Sequence, residues 1–138
     1  MNDSDIYFLD TNAASAFGRK RNLRLVELMH RHKSQLRLSS VVWAELEYGA
    51  YKREDEPVFR ERLTRLREHI ADIEPFDEHA ATWAAKVRAY LEGRGEKIGD
   101  MDCLIAGHAL AVDAVVVTHN VDEFERVPNL KVVDWEQP

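Results

Sequence analysis

At 138 residues, 45% of them hydrophobic, the chain has the length and composition of one globular domain, able to bury roughly 70% of the surface its unfolded form exposes. No apolar stretch nears the roughly 18 residues of a membrane span, MNDSDIYFLD lacks the basic-then-apolar order of a secretory signal, and the single Cys103 cannot close an intramolecular disulfide, so a cytoplasmic protein with a core thiol is expected. The net charge of −6 speaks against a nucleic-acid partner, but its distribution does not: residues 1–70 carry +2 and residues 71–138 carry −8.

In chain order, IYFLD reads as a buried strand ending at Asp10. Residues about 13–33 carry a helical pattern with Leu25, Leu28 and Met29 on one face and a break near Gly18. LRLSS is a second strand, running into a helix that carries Glu45 and ends near Gly49. Residues about 56–70 form a highly charged helix with Phe59, Leu63, Leu66 and Ile70 at helical spacing. ADIEPF supplies a short strand before the helix EHAATWAAKVRAYLEGRG, which Gly93 and Gly95 terminate. IGDMDCLIAGHALA starts a buried helix, AVVVT is a strand, VDEFERV a helical turn, and LKVVDW closes the sheet. Strands alternating with helices predict a single α/β domain over residues 1–138: three layers, with a central, mostly parallel sheet of about five strands. Basic residues gather at Arg19, Lys20, Arg21 and Arg24, at Arg31 and Lys33, and at Arg60, Arg62, Arg65 and Arg67. They read either as solvated helix faces or as a phosphate footprint.

Right-handed crossovers put the carboxyl ends of parallel strands on one edge, where open α/β sheets bind ligands. Asp10 at the end of its strand, Glu45 after LRLSSVV, Asp102 at the start of CLIAGHALA and Asn120 at the end of AVVVTHN would meet there. Gathered carboxylates repel one another unless a cation lies between them, and all-oxygen ligation favours Mg2+ or Mn2+. Each residue also has a plainer reading. Asp10 could cap the next helix, although Thr11 and Asn12 are alternative caps and could instead hold ligand water. Glu45 shares a helix face with Val41, Val42, Tyr48 and Gly49, which points it inward; otherwise it makes a surface ion pair. Asp102 shares a face with Ile105, Ala106 and Ala109, whereas Asp100 is better placed as an N-cap. Ser39 and Ser40 stand at a strand end, where they could bind phosphate or water or simply make a turn. Asn120 could coordinate through its amide oxygen or form a capping box with Glu123, and Thr118 could support the site by hydrogen bonding. His108 falls away from the Asp102 face, so a structural hydrogen bond is expected of it. The sequence contains no Gly-rich phosphate loop, GxSxG elbow or zinc-type His/Cys spacing.

The segments FLDTN, SSVVWAELEYG, IGDMDCLIAGHALA and VVVTHNVDEFERVPNLKVVDW, in that order across nearly the whole chain, resemble the PIN-domain ribonucleases, and among them the VapC-type toxins of bacterial type II toxin–antitoxin modules. The resemblance implies Asp10, Glu45 and Asp102 as an acidic metal-binding core. Asn120 falls at a fourth catalytic position, where many PIN domains have Asp and others Asn. Thr11, Asn12, Ser40, Asp100 and Thr118 are the candidate supporting residues. The resemblance further implies a Mg2+-dependent endoribonuclease, with Mn2+ able to substitute, that cuts structured RNA such as tRNA. It implies a homodimer and a cognate antitoxin whose C-terminal segment wraps the toxin and blocks the site, with higher assembly in the bound state and no membrane partner. In that chemistry, in-line attack by water expels the 3′-oxygen of the neighbouring nucleotide and leaves a 5′-phosphate. The competing readings are a non-catalytic PIN-fold binding module, which the intact acidic set disfavours, and a phospho-acceptor signalling domain. The latter expects an acidic neighbour beside Asp10 and a Lys after the last strand. A haloacid-type phosphatase would need Asp where Asn12 stands.

Overall fold

The computed structural model describes residues 4–19 and 22–138; Lys20 and Arg21 of the first basic cluster lie outside them. The apolar runs at β1 (Ile6–Leu9) and β4 (Ala114–Val117) are buried almost throughout, as central strands covered on both faces must be. Among the described residues, β1, β2 (Leu36–Ser39), β3 (Asp72–Glu74), β4 and β5 (Lys131–Val133) form one sheet in the order β3-β2-β1-β4-β5. Every pairing in it is parallel, so the sheet is wholly rather than mostly parallel.

The helices are α1 (Thr11–Arg19), α2 (Leu23–Arg31), α3 (Ser40–Lys52), α4 (Pro57–His69), α5 (Glu78–Gly93), α6 (Asp100–Val112) and the single turn α7 (Val121–Phe124). Helices α1, α3 and α4 pack on one another and α5 packs on α6, giving the α/β/α layering. The chain leaves β1 in one direction through β2 and β3, then crosses back to lay β4 and β5 on the other side. The strand order therefore reverses between β1 and β4, the place where such sheets open a ligand crevice. Register pairs Leu9 with Val117, so the next residues, Asp10 and Thr118, emerge side by side at the carboxyl edge.

Three expected boundaries move. Gly18 lies inside α1, and the break falls near Asn22, whose side chain accepts a hydrogen bond from the Leu25 N–H and caps α2. The glycine serves the α1–α4 contact: a Cβ there would stand 3.0 Å from that of Arg62. Gly49 does not end α3, which runs on to Lys52. Asp100 is the first residue of α6 rather than its cap, a position taken by Gly99. Gly95, at φ +68°, makes the left-handed turn that follows α5, as expected.

Helices α5 and α6 approach closely: a Cβ on Gly107 would lie 2.3 Å from the backbone of Ala84. Because backbone cannot rotate away, Gly107→Ala is expected to lower unfolding stability by about 1–3 kcal/mol; urea denaturation would measure it. Cys103 is buried and unpaired, and burial raises its thiol pKa. Among the described residues, no helix is long and apolar enough to cross a membrane.

Candidate active site

Asp10 is buried at the end of β1, 4% exposed, and each of its carboxylate oxygens has a partner. Oδ1 accepts from the Ala13 N–H at 2.8 Å and Oδ2 from the Thr118 hydroxyl at 2.6 Å. Asp10 thus caps α1 itself, and neither Thr11 nor Asn12 does so. Burial raises the Asp10 pKa, while the Thr118 and Ala13 hydrogen bonds pull it back. Thr118, also buried, further accepts from the Asn120 N–H at 2.9 Å. One hydroxyl therefore fixes both Asp10 and the turn carrying Asn120. Removing it in Thr118→Val leaves the buried Asp10 Oδ2 without its partner and frees the Asn120 N–H, and is expected to cost about 1–3 kcal/mol of stability, read by the denaturation midpoint.

Helix α6 runs back toward β4, so its first turn stands at the same carboxyl edge. Asp102 occupies that turn, half-buried, with Ile105, Ala106 and Ala109 buried beneath it as its helix phase requires. Its carboxyl group meets that of Glu123 on α7 in a hydrogen bond. Burial raises the Asp102 pKa to about 7, and the Glu123 hydrogen bond and the charges of Glu123 and Asp10 push the same way. Glu123 in turn accepts from the Asn120 amide Nδ2 at 2.8 Å. Asn120 stands at the N-cap position of α7, but its side chain makes no capping bond; of its two readings the capping box is not formed, and this side-chain pair stands in its place. Glu123 is thus the acidic residue that sequence reasoning passed over. The signal was its spacing from Asn120, which reads equally well as a cap.

Glu45 is exposed on α3 rather than turned into the core, and so is Tyr48 on the same face. Glu45 lines a groove between α1, α3 and α4 whose floor includes Ala14, Leu46 and Leu63 and whose walls include Thr11, Arg19, Arg53 and Arg62. A second crevice holds Asp10, Asn12, His119, Asn120 and Glu136, and it too is lined by Arg19. The groove with Glu45 and the crevice with Asp10 thus adjoin at one arginine. Thr11 Oγ1, next to Asp10, is buried without a hydrogen-bond partner.

Other candidates serve the scaffold. Ser39 is buried, caps α3 by accepting from the Val41 N–H, and bonds His108 Nδ1 at 2.8 Å. This is the structural hydrogen bond expected of His108, whose pKa burial lowers. Ser40 Oγ accepts from the Phe76 N–H at 2.9 Å and so ties α3 to the segment after β3. Asp100 is exposed and lines a different crevice, with Arg88, Cys103 and Leu104.

The PIN domain family profile matches residues 7–130. The chain is 33% identical over 135 residues to Ribonuclease VapC2 of Rickettsia felis, covering 96% of this chain and 99% of the relative. It is 34% identical over 132 residues to the tRNA(fMet)-specific endonuclease VapC of Salmonella typhimurium, covering 94% and 97%. Among solved structures, it superposes on a chain of VapBC2 from Rickettsia felis bound to a DNA fragment from their promoter with a TM-score of 0.85 and 32% identity, covering 94% of this chain and 98% of that one.

Proposed function

The chain belongs to the PIN-domain family and, within it, to the VapC ribonucleases of toxin–antitoxin systems, and on that premise we propose that it is a metal-dependent endoribonuclease toxin cutting structured RNA of the tRNA class. One observation carries the proposal. Asp10, Asp102 and Glu123 interact at the edge where β1 and β4 end, and among the described residues no Lys or Arg pairs with any of them. Carboxylates in that position destabilise the fold unless they hold a cation.

The donor set suits Mg2+ or Mn2+, since it consists of carboxylate oxygens. Asp10 and Asp102 would hold the ion, with Glu45 reaching it from α3. When bound, such an ion lowers the pKa of the attacking water and offsets charge on the scissile phosphate. The Ala13 N–H and the Thr118 hydroxyl keep the two oxygens of Asp10 in one orientation. Asn120 orients Glu123, and its amide oxygen can hold ligand water. Asp102 gives up its proton near neutral pH, which readies the site for a cation. Arg19, common to groove and crevice, offers a phosphate contact.

The same reading includes a cognate antitoxin, for which the groove between α1, α3 and α4 offers an apolar floor and arginine walls. It also includes a homodimer, higher assembly with the antitoxin, and a cytoplasmic location beside the RNA target. To test the activity, the purified chain would be incubated with initiator tRNA, and with DNA of the same sequence, in Mn2+ or in EDTA. Cleavage of the RNA in Mn2+ alone is expected. Intact tRNA and intact total cellular RNA at equimolar protein would overturn the proposal.

A further inference from the structure

We infer that His119, Asp134 and Glu136 form a binding site for a borderline divalent transition metal such as Zn2+, distinct from the carboxylate cluster and set at the rim of the same crevice. The three residues come from two strand ends. His119 follows β4, and Asp134 and Glu136 follow β5, its parallel neighbour, with Val117 paired to Val133. One donor atom from each lies within 4.8 Å of the others. His119 Nδ1 is 3.0 Å from Asp134 Oδ2 and 4.0 Å from Glu136 Oε2. Donors about 2.0–2.2 Å from one zinc stand roughly 3.0–3.6 Å apart, so a side-chain movement of up to about an ångström at Glu136 completes the set.

The backbone carrying the carboxylates is held in place. Trp135, between them, is buried and packs on Tyr7 and His32. Asp134 Oδ1 accepts from the Glu136 N–H at 2.8 Å, and Asn22 Nδ2 donates to the Glu136 carbonyl at 3.2 Å. The charge balance also points to a cation. The Asp134 and Glu136 side chains are only 15% and 23% exposed, yet among the described residues they share one cationic partner, the single His119. An imidazole with two carboxylates selects a borderline metal, whereas the all-oxygen cluster at Asp10 selects a hard one. Three protein donors would leave a coordination position open, and His119 and Glu136 line the crevice that also holds Asp10 and Asn120. No local His/Cys spacing announces this site, because strand register assembles it.

The test uses the full chain in saturating Mg2+, titrated with ZnCl2. Histidine-selective NMR of the wild type should show the His119 ring signals moving until one equivalent of Zn2+ is bound, with His30, His69 and His108 unmoved. The zinc-induced rise in melting temperature should survive in Asp10→Asn/Asp102→Asn. It should need at least about tenfold more zinc in His119→Ala and in Asp134→Asn. Because His119→Ala also removes the cationic partner of Asp134 and Glu136, each variant's zinc-induced rise is read against its own zinc-free melting temperature. A stoichiometric zinc that moves His30 or His69 instead, a zinc effect lost in the Asp10/Asp102 variant and kept in His119→Ala, or no zinc binding at all would each overturn the inference. These readouts do not involve RNA, so the site can fail while the nuclease stands, and the reverse.

Discussion

Asp102→Asn is expected to raise the melting temperature of the metal-free protein while lowering RNA cleavage by at least about 10²-fold. The two effects have one cause. In the native state burial and Glu123 hold the Asp102 pKa at about 7, against 3.8 for the free carboxyl. Between those values the native protein binds the proton that the unfolded chain releases. Metal-free stability therefore falls as pH climbs from about 4 to about 7. Asn keeps a neutral donor beside Glu123 at every pH, so the variant should lose that slope and gain most over the wild type above pH 7. It also removes a carboxylate that the cation and the phosphate chemistry require. Melting curves from pH 5 to 8, in EDTA, would read the first effect. A variant less stable than the wild type at pH 8 would contradict the account of the Asp102–Glu123 contact.

The metal should reverse this balance. Millimolar Mg2+ or Mn2+ binds only the assembled cluster, and an ion at 100 times its dissociation constant adds about 2.7 kcal/mol to the native state. For a domain of this size that is a rise of roughly 5–10 °C in melting temperature. The rise should shrink as pH falls below about 7, because Asp102 must release its proton to bind. It should vanish in Asp10→Asn/Asp102→Asn, whose metal-free melting temperature is expected at or above that of the wild type. An equal rise in that variant would place the ion elsewhere.

Sequence alone revealed much of the fold, because the apolar runs of β1 and β4 and the helix phase of α6 are local patterns. The run IYFL is buried as a strand and ends in Asp10; Asp102 rides over Ile105, Ala106 and Ala109 as its spacing required. What sequence missed is set by tertiary approach. Gly18 reads as a helix break but accommodates Arg62, and Gly49 reads as a stop yet lies inside α3. Glu45 shares a face with Val42, but a half-covered helix leaves it exposed in a groove. Glu123 looked like half of a capping box, and only the meeting of α6 with α7 makes it a neighbour of Asp102. Ser39 and Ser40 sit at a strand end, where phosphate ligands are common, but His108 and Phe76 take their hydroxyls. The trio of His119, Asp134 and Glu136 depends on the register of β4 and β5, which no local pattern encodes.

The central claim is that carboxylates at the β1–β4 edge direct water onto an RNA phosphodiester. The most direct measurement is the chemistry of the ends made from one purified tRNA in Mn2+, with Asp10→Asn in parallel. A 5′-phosphate and a 3′-hydroxyl are expected from the wild type, and at least about 10²-fold less of either from Asp10→Asn. A 2′,3′-cyclic phosphate with a 5′-hydroxyl, or equal cleavage by the variant, would contradict it.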